Sequence, residues 1–466
     1  MTEPVTFLSR AEALIGSREA AAVERGAKKF AENRSTAMAE FPMIEALRDR
    51  ARAIRLHSLR HLDRLLAHFA DQVEALGGQV HWAGDAAEAR QIVAEILEST
   101  GSEHVVKSKS MVSEEIELND HLGDRGFSVV ETDLGEFIAQ LADDTPSHII
   151  APVLHMTRQD VGELFAEKLG VPYTENPFEL NLIARRHLRE LFLRADAGIS
   201  GVNLAIADTG SLVLVTNEGN GRMSTTIPGV HIALMGMERI VSRWEDAAVI
   251  LETLARSATG QRLSVYTNMV TGPRREDDPD GPEELHVVVI DNGRSDILAG
   301  DTAEILACIR CGACLNSCPV FKTVGGHAYG TVYSGPVGSI VTPGLHGMEP
   351  WWELPYASTL CGACEEVCPV RIEIPRMLLK LRELAASEGR LPGWLERGMS
   401  RYAKTTTDPS RWSRAKKWAS RLSAPLSSRG WIRRIPGPGR GWTESRDLPR
   451  PAQEPFNEWW RSNRES

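Results

Sequence analysis

The stretch Cys308-Ile309-Arg310-Cys311-Gly312-Ala313-Cys314-Leu315-Asn316-Ser317-Cys318-Pro319 has the spacing C-x2-C-x2-C-x3-C-P, and Cys361-Gly362-Ala363-Cys364-Glu365-Glu366-Val367-Cys368-Pro369 echoes its second half. Together they hold all seven cysteines of a 466-residue chain. In such a run the closely spaced thiolates wrap a cubane iron–sulfur cluster, while the cysteine before the proline is turned away to serve a second one. The spacing therefore assigns Cys308, Cys311, Cys314 and, from the far motif, Cys368 to one cluster. Cys318 crosses over and joins Cys361 and Cys364 at the other. A zinc ribbon also uses paired C-x2-C units, but it needs four ligands per ion and has no use for the x3-C-P ending. Tight repeated spacing in a long chain without a secretory signal argues against a disulfide framework.

The second motif is one ligand short. Counting back by the same spacing, the eighth cysteine would fall at Ser358. Three outcomes stay open: a three-iron cluster ([3Fe-4S]), a four-iron cluster ([4Fe-4S]) closed by Ser358 or another oxygen or nitrogen ligand, or a four-iron cluster with one exchangeable iron.

A chain of this length predicts two or three domains. With 42% hydrophobic and 25% charged residues it has the composition of an ordinary globular protein. The N-terminus MTEPVTFLSRAEALIG lacks the basic head and apolar core of a secretory signal. No apolar run approaches the roughly 20 residues of a membrane-spanning helix, and reduced thiolates fit the cytoplasm. The net charge of −10 excludes a whole-protein basic signature for nucleic acid. It hides an asymmetry: residues 400–466 carry fifteen Lys/Arg against six Asp/Glu, a balance of +9 that leaves about −19 on the rest.

In chain order, residues 7–76 read as long helices, with Ile54, Leu59, Leu62, Leu65 and Leu66 at helical spacing. His57 and His61 lie one turn apart, but without a neighbouring glutamate they make no H-E-x-x-H site. From residue 78 strands alternate with helices. Gln79–Ala83, His104–Ser108, Phe127–Thr132 and His148–Val153 are the expected strands, and Ala86–Glu98, Ser113–Leu122 and Leu134–Ala142 the helices between them. The rhythm predicts an α/β domain with a largely parallel sheet. Helices Asp160–Leu169 and Pro177–Arg194 follow. The glycine-rich run from Gly198 to Arg222 contains buried strands at Leu204–Ala207 and Leu212–Val215, and its glycines serve either turns or a bound anion. Gly198-Ile199-Ser200-Gly201-Val202 is no nucleophile elbow, because valine stands at the closing glycine. Gly219-Asn220-Gly221-Arg222-Met223-Ser224 lacks the last glycine of a dinucleotide fingerprint and is expected to run on without a helix. Val230–Met235, helix Glu245–Ser257 and strands Leu263–Thr267 and Leu285–Ile290 close the domain. The expected boundaries are 1–295 for the helical arm and α/β domain, 296–390 for the iron–sulfur domain and 391–466 for a basic tail.

The 42 residues between the motifs read as a long functional insertion covering the clusters. The tail holds seven of eleven tryptophans and repeated Pro/Gly breaks. It reads as too broken for a stable domain, and as a docking arm for an acidic partner, with a membrane surface second, or as a solvated cover over its own domain.

The α/β domain with Val106-Lys107-Ser108-Lys109-Ser110-Met111, Gly198-Ile199-Ser200-Gly201 and Ala207-Asp208-Thr209-Gly210-Ser211, joined to the seven-cysteine motifs, resembles the lactate utilization protein B family over nearly the whole chain. The resemblance implies an α/β domain similar to sugar-phosphate isomerases and coenzyme A transferases, then a helical ferredoxin-type domain with two [4Fe-4S] clusters. Cys308, Cys311, Cys314 and Cys368 would bind the first, and Cys318, Cys361 and Cys364 the second. It also implies two other lactate-utilization subunits as partners in oxidising L-lactate to pyruvate. That oxidation removes two electrons, and no flavin or nicotinamide fingerprint survives here, so electron transfer is the expected role. A bolder reading lets the incomplete corner of the second cluster bind a 2-hydroxy acid, helped by His327 or His346. The competing readings are the iron–sulfur subunit of another 2-hydroxy-acid oxidase, such as one for glycolate, and a redox-sensing module that binds a small ligand.

Overall fold

The strand–helix alternation folds into a six-stranded, wholly parallel sheet in the computed structural model, which describes residues 6–464. Four helices precede it: α1 (Phe7–Leu14), α2 (Arg18–Ala39), α3 (Ile44–Arg60) and α4 (Leu62–Ala75). Then come β1 (Gln79–Ala83), α5 (Ala86–Ser99), β2 (His104–Lys107), α6 (Met111–Glu115), α7 (Leu118–Asp124), β3 (Ser128–Glu131), α8 (Leu134–Ala142), α9 (Arg158–Leu169) and α10 (Pro177–Arg194). The second half supplies β4 (Ala197–Gly201), β5 (Leu204–Ile206), β6 (Ser211–Thr216), α11 (Asn220–Thr226), β7 (Val230–Gly236), β8 (Ile240–Val241), α12 (Trp244–Thr259), β9 (Tyr266–Val270) and β10 (Glu284–Ile290). The main sheet has the order β1-β10-β7-β4-β2-β3, and a smaller mixed sheet the order β8-β5-β6-β9.

Period-2 alternation inside the buried strands builds two cores. Ile232, Leu234, Val288 and Ile290 face α5 and α7, where Val93, Leu97 and Leu122 are fully buried. Ala233, Met235, Val287 and Val289 face the other way, onto Leu66, Phe69 and Val73 of α4 and the smaller sheet. Each fully buried side chain of this size stabilises the fold by about 1.5–3 kcal/mol.

Four local expectations are corrected. His148–Val153 is not a strand: the buried His148 Nδ1 accepts the Ile150 and Ala151 amides at 3.0 and 3.1 Å and folds the segment back into turns. Ser113–Leu122 is two helices, broken where Glu117 takes φ 51° so that Ile116 and Leu118 are both buried. The run after Gly219 is a helix, α11, laid across β4. Gly198 is needed there, because a Cβ would meet the Ser224 carbonyl oxygen at 1.7 Å. The strand expected at Leu263–Thr267 lies three residues later, on the exposed edge of the smaller sheet.

The segment between the cysteine motifs is not a structureless connection. It contains helices Pro319–Val324 and Gly335–His346, the latter buried from Gly335 through Pro343. Packing divides the chain once, between Leu384 and Ala385, so the helical arm, the α/β domain and the cysteine motifs form a single unit. The second unit corrects the picture of a broken tail. Its helices Gly393–Thr406 and Pro409–Ser423 are followed by three two-residue strands and a helix Phe456–Asn463, whose Glu458 pairs with Lys417 at 2.8 Å. No helix among the described residues is long and apolar enough to cross a membrane.

Candidate iron–sulfur centre

The two motifs share one backbone shape. Arg310 and Leu360, each just before a cysteine, take left-handed φ of 58° and 54°, and Gly312 and Gly362, each just after it, take 73° and 85°. Left-handed φ is uncommon for non-glycine residues and gathers at functional loops. The shape closes a small loop in which the Arg310 N–H donates to Cys308 Sγ at 3.3 Å. In the second motif the Leu360 N–H donates to Ser358 Oγ at 3.1 Å. Ser358 thus occupies the position and accepts the hydrogen bond that Cys308 has in the first motif.

The structure gathers the cysteines in two groups. Cys308, Cys311, Cys314 and Cys368 line one small cavity, whose other walls are apolar, with Ile149, Ile309, Val337, Val370, Ile372 and Ile374, apart from Arg310. Burial, reinforced by Cys308, pushes the Cys311 thiol up to about 12, and burial raises Cys368 to about 11. Cys318, Cys361 and Cys364 form the other group. Burial and Cys318 raise Cys364 to about 12, whereas the exposed Cys361 is lowered by the Ala363 amide and the Thr359 hydroxyl. All seven cysteines are free. Among the described residues no three cysteine sulfurs lie mutually within 4.8 Å. Thiolates on one zinc ion, at about 2.3 Å each, would stand closer than that; a cubane spreads its ligands wider. Soft sulfur donors, apolar walls and amide N–H groups aimed at Sγ, including Ile372 to Cys368 at 3.3 Å, suit an iron–sulfur cluster.

The helical arm supplies a shell that sequence reasoning missed. Arg48 of α3 donates to the Cys368 carbonyl at 2.9 Å, Arg52 to the Arg371 carbonyl, and Arg55 to the Leu306 and Ala307 carbonyls at 3.1 and 3.3 Å. Arg34 of α2 reaches the Val367 carbonyl at 2.8 Å, and Arg239 the Cys308 carbonyl at 3.2 Å. Arg48, Arg52 and Arg55 recur at i, i+4 and i+7 on one helix face, a signal present in the sequence but overshadowed by the apolar stripe beside it. Beneath them Arg294 pairs with Glu115 at 2.8 Å and Glu238 at 2.7 Å, and the Tyr333 hydroxyl donates to Glu115 at 2.6 Å. His148 Nε2 lies 3.0 Å from Asn316 Oδ1 and ties the α/β domain to the helix Ala313–Ser317. Burial lowers His148 to about 4, so the ring is neutral at pH 7 and its Nε2–H donates.

The remaining candidates lie elsewhere. His327 is bound to Glu19 at 2.7 Å and to the Thr145 carbonyl at 2.8 Å, His346 is exposed at the end of its helix, and neither lines the cysteine cavity. His57 and His61 pack against each other as tilted rings with centroids 4.6 Å apart.

Sheet domain and cysteine loops define the class: a LUD domain, which matches residues 66–290, followed by a 4Fe-4S dicluster domain, which matches residues 304–372. The chain accordingly binds iron–sulfur. It is 45% identical over 442 residues to lactate utilization protein B of Shouchella clausii, covering 95% of this chain and 93% of that one. The protein of the same name from Bacillus licheniformis is 46% identical over 445 residues, with 95% and 93% covered, and that of Bacillus subtilis 45% over 441, with 94% and 92% covered. The chain belongs to the lactate utilization protein B family. A crystal structure of a DUF162 family protein from Deinococcus radiodurans covers 49% of this chain and 98% of its own at 17% identity, with a TM-score of 0.29.

Proposed function

We propose that this chain is the electron-carrying iron–sulfur subunit of an L-lactate-oxidising system that converts lactate to pyruvate with two other subunits. Cys308, Cys311, Cys314 and Cys368 would hold one [4Fe-4S] cluster, and Cys318, Cys361, Cys364 and Ser358 a second. When bound, two such clusters supply storage for two single electrons. The residues of the chain bury Cys311, Cys314 and Cys368 of the first site and half-bury Cys308, fix the cysteine loops through arginine–carbonyl bonds, and leave Cys361 of the second site open to solvent. The observation that carries this reading is the pairing of the two loops, Ser358 taking the amide bond that Cys308 takes. By the same reading the α/β domain is similar to sugar-phosphate isomerases and coenzyme A transferases.

Anaerobic preparation with iron analysis and electron paramagnetic resonance tests it. Eight irons per chain are expected, and Ser358→Ala should drop the count to seven and produce a three-iron signal. An unchanged spectrum in that variant removes Ser358 from the ligand set, and iron-free protein removes the whole reading. The basic C-terminal unit, with Trp394, Trp418 and Trp442 largely exposed, is proposed as the surface that docks an acidic partner subunit. Deleting residues 400–466 should then weaken co-purification with the other two subunits while the iron content stays the same. An intact complex after the deletion would refute the docking role.

A further inference from the structure

A cavity of about 670 Å³ opens at the carboxyl ends of β2, β3, β4 and β7, walled there by Ser108, Lys109, Asp133, Asn203 and Gly236. Open α/β sheets bind ligands along this edge, and the volume is that of a small-molecule site. The opposite wall comes from the cysteine region. Ile149 and Arg310 line both this cavity and the one that gathers Cys308, Cys311, Cys314 and Cys368, so one layer of side chains divides the two.

Two cations on the wall keep buried donors that no group hydrogen-bonds. The Lys109 ammonium is buried without a hydrogen-bond partner, and Arg310, only 8% exposed, has none at Nε or Nη1. The Arg310 guanidinium lies 4.2 Å over the Tyr333 ring, and Glu238, 3.9 Å from its Nη2, is already held by Arg294 at 2.7 Å. Lys107, two residues before Lys109, shows what a structural lysine looks like here: its ammonium is bound by Ser113, Glu114 and Glu131 at 2.6–2.7 Å. Glu136 and Glu218 act on Lys109, and Glu238 on Arg310, through charge alone; buried donors left without a hydrogen bond cost free energy, and two on one cavity wall call for an anionic guest. Asp133 and Glu218 also line the cavity, and Lys109 acts on Glu218. Burial, reinforced by Asp133, raises Glu218 to about 7, so it can carry or release a proton near neutrality.

We propose that this cavity binds a small organic anion beside the first cluster, with its carboxylate or phosphate oxygens on Lys109 and Arg310 and a hydroxyl group at Glu218. The site rests on the electron-carrier reading only for the cluster next door, because binding is a property of the isolated chain. Calorimetric titration of the anaerobically prepared full chain with L-lactate, pyruvate and glycerol 3-phosphate tests it. One-to-one binding of at least one of them is expected, weakened about tenfold or more in Lys109→Gln, as the loss of a charged hydrogen bond requires. Preference for the two acids over glycerol 3-phosphate identifies a carboxylate ligand, and the reverse a phosphate ester. Arg310→Gln should weaken the same ligand. If that variant loses its clusters, the lysine variant still decides. Absence of binding by all three, or binding indifferent to Lys109→Gln, overturns the proposal, whereas failure of the relay would appear separately as clusters that a chemical reductant cannot reduce.

Discussion

Glu136 sits 3% exposed at the start of α8, with Oε1 unpartnered, and burial raises its carboxyl to about 8. In the unfolded chain the same group ionises near 4.5. Between those values the folded protein holds a proton that the unfolded chain releases, so its contribution to stability is complete below pH 4.5 and disappears as pH rises through 8. Glu136→Gln, always neutral, should therefore stabilise the protein at pH 8 by roughly 2–5 kcal/mol and change little at pH 4.5. Urea denaturation of the two proteins at both pH values measures the difference, and equal midpoints at pH 8 would contradict it. His148 has the opposite slope. Its neutral ring is favoured above 6.5, and the stability it adds is lost as pH falls from 6.5 through about 4. Such residues show where sequence reading stops. The cysteine spacing names its own chemistry, because each thiol has a fixed place in a short loop. A glutamate or histidine declares its role only through neighbours that arrive from distant parts of the chain.

Helix α3 illustrates the same limit one level up. Its period was legible, and it forms as expected, but the face carrying Arg48, Arg52 and Arg55 turns inward onto peptide carbonyls of the cysteine loops. Charged residues on a helix usually mark its solvent side, so the pattern concealed their use. Arg55, 1% exposed, binds the carbonyls of Ile240, Leu306 and Ala307 at 2.9–3.3 Å, and also that of Glu238. Arg55→Met keeps the volume of the stem and leaves those acceptors bare, at a cost of roughly 3–5 kcal/mol. Guanidinium denaturation should show that loss together with poorer retention of iron; an unchanged midpoint would mean that the carbonyls find other donors. The elements that escaped sequence reading have related causes. Strand β4 carries glycines that suggest turns, yet Gly198 is there to admit α11 against the sheet. His148–Val153 alternates like a strand, but its histidine accepts two amides that a sheet would have used. Strands β1 and β10, by contrast, lie in continuous or alternating apolar runs with no competing partner, and both were legible to within a residue.

At the scale of the molecule the two cysteine groups lie in different fields. Charges on Arg34, Arg48, Arg55, Arg239 and Arg310 act on Cys308, Cys311 or Cys368. The acids among them, Glu45, Glu115 and Glu238, are fewer and already paired with arginine. Around Cys318, Cys361 and Cys364 the cation that acts on the sulfurs is Lys322, while the exposed Glu365 and Glu366 follow Cys364 directly. A reduced cluster carries one more negative charge than an oxidised one, so a buried cationic shell raises its reduction potential, in the same way that net charge and hydrogen bonds to sulfur do elsewhere. On the proposed electron-carrying role, the site of Cys308 should therefore be the more easily reduced, and the solvent-facing site of Cys361 the place where electrons enter or leave the chain. A redox titration followed by electron paramagnetic resonance should resolve two potentials. Arg34→Gln, which removes a charge near Cys311 and Cys368 from the arm, should lower the higher potential and leave the lower one where it was. If the lower potential moves instead, or if both move together, the field of these arginines does not set the direction of flow.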